Sequence, residues 1–92
     1  MKQTAKQDHI RQLFELICSI DNIDDCRALF DDLCTVKEVE NMAARCFAAK
    51  LLLEGNTYRQ VMAQADISSA PLSRVSRCVQ YGSGYSKLLN DE

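Results

Sequence analysis

Arg74 and Arg77 stand three residues apart behind Ala70 and Ser73, and at 100° per residue all four fall on one side of a helix. Leu72, Val75 and Val79 fall on the other. The outer face is therefore small, hydroxylated and cationic, which suits the grooves of duplex DNA. Short residues at a helix start let the backbone approach the base edges, while arginine reaches guanine or phosphate. Thr57, Arg59, Gln60, Ser68 and Ser69 lie near predicted helix N-termini, whose free N–H groups hold phosphate well. Arg59 is the expected clamp on the DNA backbone.

Other chemistries find less support. Cys18, Cys26, Cys34, Cys46 and Cys78 are spaced by 8, 8, 12 and 32 residues, with no C-x-x-C pair, and His9 is the only histidine. A zinc site is not expected from this pattern. An odd number of cysteines, with no basic-then-apolar leader in residues 1–20, predicts a reducing, cytoplasmic setting in which the thiols act as small buried hydrophobes. No paired carboxylates, phosphate-cradling glycine loop or nucleophile with an orienting base can be assembled, so neither a catalytic residue nor a cofactor is predicted and the chain reads as no enzyme.

Helices must position the cationic face, because apolar residues recur at three and four nearly throughout. Ile10, Leu13, Phe14, Ile17 and Cys18 mark a helix over about residues 5–20; Ile23, Cys26, Phe30 and Leu33 mark a second, capped by Asp21 or Asn22. Thr35 and Glu38 form the pattern of a capping box before the longest helix, about 36–54. Its stripe is Val39, Met42, Ala43, Cys46, Ala49, Lys50 and Leu53, and Gly55 is its stop. Thr57 with Gln60 repeats the box and opens a helix to about Ala65. Ser68 or Ser69 caps another, with Pro71 in its first turn, and the Tyr81-Gly82-Ser83-Gly84 run ends it before one last short helical segment. The predicted class is all-α.

Two short helices joined by a three- or four-residue turn, the second one basic, outline a helix-turn-helix over residues 57–80. Val61, Ala65, Ile67, Leu72 and Val75 are apolar or small where the two helices must meet. Asp66 stands where such turns commonly place glycine, at a position that often needs positive φ; aspartate accepts that better than most residues. The spacing alone fits equally a plain helical bundle with solvated arginines.

Composition bounds both readings. The 92 residues are 47% hydrophobic and 26% charged with a net charge of −2, which describes one domain with little core to share. No apolar run approaches the ~18 residues of a membrane span, so no membrane partner is predicted. The average charge hides a split: residues 1–49 carry six basic against nine acidic side chains, a net of −3, whereas residues 50–90 carry five against two, a net of +3. Asymmetry of this kind is a sign of nucleic-acid contact. The competing class is a helical protein-interaction module whose acidic half docks a basic partner without direct DNA binding.

The segment FDDLCTVKEVENMAARCFAAKLLLEGNTYRQV, followed by LSRVSRCVQYG, resembles the Trp repressor superfamily, specifically its YerC/YecD-type branch, over about residues 8–90. The resemblance implies a single domain over 1–92, with dimerisation helices over about 5–54, the helix-turn-helix at 57–80 and a C-terminal helix or tail at 81–92. It further implies an intertwined homodimer that exchanges N-terminal helices, and a transcriptional regulator, expected to be a repressor, that binds double-stranded DNA. In the Trp repressor itself two arginines bracket tryptophan. Arg74 matches the second; Phe47 is expected at the position of the first, and Val75 at that of a glycine that leaves room for the indole. No tryptophan corepressor is therefore expected. Pro71 replaces a residue that is usually Thr in the branch, which bears on base contacts there.

Overall fold

Six helices and no strand form among the described residues, 4–90, of the computed structural model. They are α1 (Ala5–Cys18), α2 (Ile23–Leu33), α3 (Val36–Leu53), α4 (Tyr58–Ala65), α5 (Ser69–Tyr81) and α6 (Gly84–Leu89). The last two residues of the expected tail, Asp91 and Glu92, lie outside them. The all-α expectation holds, and most boundaries fall within two residues of those read from the caps. Asn22 is the cap of α2, its Oδ1 accepting from the Asp25 N–H at 2.8 Å. A capping box that the apolar spacing did not signal opens α1: Thr4 Oγ1 accepts from the Gln7 N–H at 3.1 Å and Gln7 Oε1 from the Thr4 N–H at 2.9 Å.

The chain divides into two compact units, Met1–Val36 and Lys37–Glu92. In the first, neither α1 nor α2 has a buried residue. Their stripes exist, but Phe14 is 57% exposed and Ile23 78%. The helical pattern is correct, and within this unit the apolar stripes stay largely exposed.

The second unit holds the core. Ala48, Ala49 and Leu51 of α3 meet Val61 and Ala65 of α4, Ile67 of the turn, and Leu72 and Val75 of α5, all buried. Every position expected to join the two helices of the helix-turn-helix is in this cluster. On α3 the expected stripe is only partly right. Ala49 is buried, but Val39, Ala43, Cys46 and Leu53 are exposed, and the covered face runs instead through Ala48, Ala49, Leu51 and the half-buried Leu52. α3 is apolar on two sides, and the small pair Ala48 and Ala49 marks the side on which the other helices come close.

The turns are set by a few backbone demands. After α3 the Gly55 N–H donates to the Leu52 carbonyl at 3.0 Å and the Asn56 N–H to the Leu51 carbonyl at 3.1 Å, a Schellman closure. It puts Gly55 at φ +95°, where a side chain is strained. Gly82 ends α5 for a different reason: a Cβ there would lie 2.7 Å from the Cys78 carbonyl oxygen. Beyond it, Ser86 Oγ donates to the Val79 carbonyl at 3.1 Å, and Tyr85 and Leu89 of α6 pack on the core.

Asp66 takes the left-handed conformation predicted for the turn, φ 52° and ψ 50°, and is the only non-glycine with positive φ among the described residues. An L-residue there costs roughly 1–2 kcal/mol, whereas glycine costs only its extra unfolded-state entropy of roughly 0.5–1 kcal/mol. Asp66→Gly is thus expected to stabilise the fold by about 0.5–1 kcal/mol, seen as a higher urea midpoint at unchanged slope. A lowered midpoint would contradict this account of the turn.

Candidate nucleic-acid interface

α4 and α5 present their residues by the logic of their own N-termini. At α4, Thr57 Oγ1 accepts from the Gln60 N–H at 3.2 Å and Gln60 Oε1 accepts from the Thr57 N–H at 2.8 Å. The predicted box is complete. It occupies the oxygens of both side chains and leaves the Gln60 amide NH₂ facing solvent. Arg59, exposed between them, is free to extend.

At α5 the chemistry differs. Ser68 is the cap residue, yet its side chain makes no capping bond. Such a hydroxyl usually accepts from the N–H two or three residues on; the third is Pro71, which has none. The start of α5 is therefore left without a side-chain cap, the arrangement that leaves its first N–H groups open to an anion. Pro71 is tolerated there because α5 begins at Ser69, so the missing donor belongs to the turn in which helical N–H groups have no internal partner.

All nine predicted interface residues are exposed: Thr57, Arg59, Gln60, Ser68, Ser69, Ala70, Ser73, Arg74 and Arg77. Leu72, Val75 and Ser76 of α5 are buried, so the face bearing Ala70, Ser73, Arg74 and Arg77 is the one turned from the core. None of Arg59, Arg74 and Arg77 has an ion pair among the described residues, where the recorded pair is Arg11 with Glu15 at 3.2 Å. The three arginines are thus exposed cations without an ion pair among the described residues, on helices anchored by the buried core.

Beside this face a depression of about 380 Å³ is lined by Arg45 of α3, Arg74, Val75 and Cys78 of α5 and Tyr85 of α6. It corrects the sequence reading at one residue. The α3 side chain that shares a cavity with Arg74 is Arg45 and not Phe47, which lies 200° further round the helix and is 46% exposed. The burial pattern accounts for this: Arg45 stands three and four residues before Ala48 and Ala49, both 0% exposed, and so one turn along the buried face. Both cations line the depression, and Val75 is its one aliphatic side chain. Among the described residues no group of three or more His, Cys, Asp and Glu side chains could hold a metal ion.

The comparisons agree with this architecture. A family model described as Trp repressor protein matches residues 7–92. YerC of Bacillus subtilis (strain 168), an uncharacterized protein, is 44% identical over 71 residues, which cover 77% of this chain and 68% of YerC. The crystal structure of a protein from Staphylococcus aureus, described as a proposed Trp repressor, superposes with a TM-score of 0.86 at 34% identity, covering 97% of this chain and 92% of that one.

Proposed function

Because the chain belongs to the Trp repressor family, we propose that it is a sequence-specific DNA-binding regulator, a repressor, acting as a homodimer through the helix-turn-helix of residues 57–80. The observation that carries the reading is the α5 face, where Ser73, Arg74 and Arg77 are exposed and unpaired opposite a core of Leu72 and Val75. In this reading Ala70 and Ser73 allow the helix start close to the base edges, Arg74 and Arg77 reach bases or phosphates, and Arg59, Ser68 and Ser69 hold the backbone.

The homodimer is supported by what one chain leaves open. Ile10, Phe14 and Ile23 in the first unit, and Val39 and Phe47 on the outer side of α3, are more exposed than an isolated soluble chain favours. A second copy would cover them and set two α5 helices in successive major grooves about 34 Å apart. Cytoplasmic residence follows from the same function; no helix among the described residues is long and apolar enough to cross a membrane.

Fluorescence anisotropy on genomic fragments at several salt concentrations tests the reading, with sedimentation confirming the folded dimer. Affinity should fall steeply as salt rises, because phosphate contacts release counterions. Absent or salt-insensitive binding by a folded dimer would leave the protein-interaction module in its place.

Tryptophan is not expected to be the effector. An indole needs an apolar slot, and the Arg74 depression offers two guanidiniums, a thiol, a phenol and one aliphatic side chain, Val75, that is 1% exposed. Calorimetry with millimolar tryptophan should show no saturable heat. Micromolar binding would overturn the expectation.

A further inference from the structure

Cys78 is the cysteine that lines the depression with Arg45 and Arg74. It is half-buried, whereas Cys18 and Cys46 are exposed. Helical spacing sets Cys78 one turn after Arg74, with about 5–6 Å between their Cβ atoms. Arg45 faces the same space from α3, and neither arginine has an ion pair among the described residues. The contrast within the chain is Cys18, which lines a shallow groove on α1 beside Arg11, where Glu15 already neutralises the guanidinium at 3.2 Å. Cys78 thus combines a thiol, a cavity and two arginines without an ion pair among the described residues.

We propose that Cys78 is a modification site for anionic low-molecular-weight disulfides, and that its modification releases DNA. The DNA-release half of this inference rests on the reading of Arg74 as a DNA contact; the site itself does not. In the reaction the Cys78 thiol gives its proton to solvent and Sγ attacks one sulfur of the disulfide. The Sγ–S bond forms as the reagent's S–S bond breaks, and the departing half takes up a proton to leave as a free thiol. Cys78 is oxidised to a mixed disulfide and the reagent is reduced. The cavity admits an adduct, and Arg45 and Arg74 pair with its carboxylates, holding it in place. That pairing turns Arg74 away from the α5 outer face and adds negative charge beside it, where DNA phosphates would come.

Charge is the feature that separates this site from an ordinary reactive thiol. The test treats the reduced full-length protein with equal concentrations of glutathione disulfide, which is anionic, or cystamine, which is cationic, and follows each cysteine by peptide mass spectrometry. Cys78 should react about tenfold faster with the anionic reagent, as focused positive potential predicts, while Cys46 in the same molecule shows no such preference. Arg45→Gln should reduce the preference at Cys78. Anisotropy on the same samples should show a loss of affinity of roughly fivefold or more on modification, the size of one lost arginine contact, restored by dithiothreitol and absent in Cys78→Ser. Equal rates with the two reagents, or an unreactive Cys78, would overturn the site. Full modification with unchanged DNA affinity would overturn the release. Failure of the reduced protein to bind any DNA would count against the proposed function, and the rates at Cys78 would still decide the site.

Discussion

Leu72→Ala is expected to destabilise the fold by about 3–4 kcal/mol, within the range of roughly 2–5 kcal/mol for truncating a buried leucine. Leu72 is 0% exposed and is one of the largest fully buried side chains among the described residues, together with Val61 and Val75. The cavity left by its removal would be lined by neighbours on three elements, α3, α4 and the rest of α5, which are tied to the same small cluster and have little freedom to collapse. At the usual range of roughly 0.05–0.15 kcal/mol per residue, a chain of 92 residues carries about 5–14 kcal/mol in all, so the substitution removes a large share of it. Urea unfolding at matched protein concentration measures the effect; matching matters because any self-association adds to apparent stability. Leu88→Ala is the control. Leu88 is 79% exposed on α6, and its loss should stay within about 0.5 kcal/mol. A Leu72→Ala loss below about 1 kcal/mol would mean that the helix-turn-helix is not held by this cluster. If the cluster is as described, DNA binding should disappear in the same variant at temperatures where the parent still binds, because α5 is oriented by its buried side.

How much of this was legible in the residues depends on which partner each side chain meets. Caps and stops could be read because they act within a few residues: Asn22 on Asp25, Thr57 on Gln60, Gly55 after α3. The joint between α4 and α5 could be read for the same reason, since Val61, Ala65, Ile67, Leu72 and Val75 lie within fifteen residues and a turn brings them together. The Thr4 box carries the same Thr-x-x-Gln pattern as Thr57 with Gln60 and is legible by the same rule, although no hydrophobic spacing points to it. Two things are not legible. The covered side of α3 could not be chosen from periodicity, because both sides are apolar and only the approach of α4 and α5 decides between them. The place of Arg45 follows from that choice: once Ala48 and Ala49 are known to face inward, the residue one turn before them faces the depression, and Phe47 faces away. The nine predicted interface residues are exposed, but exposure is a property that a solvated face shares with a DNA-reading one, and only a binding measurement separates the two.

Arg77→Ala and Arg59→Ala make that separation, because the two arginines sit on different helices with different access to DNA. Arg77 lies two turns into α5 on the stripe with Ala70, Ser73 and Arg74, and the buried Leu72 and Val75 hold that stripe outward. In the major groove its guanidinium is in reach of base edges, where a bidentate contact discriminates among sequences. Arg59 projects from the first turn of α4, beside a complete capping box, and in the proposed complex it would meet the sugar-phosphate backbone. Removing Arg77 should weaken binding to a selected site by roughly 1–3 kcal/mol and flatten preference at one or two positions. Removing Arg59 should weaken selected and unrelated sequences alike and reduce the salt slope by about one. Both residues are exposed, so neither change should move the unfolding midpoint by more than about 0.5 kcal/mol, which keeps a loss of binding from being mistaken for a loss of fold. Site selection from random DNA with the parent and both variants reads preference and affinity together. If Arg77→Ala binds the parent's selected site as tightly and as selectively as the parent, α5 does not read bases, and the positive charge of the second half is a solvated surface after all.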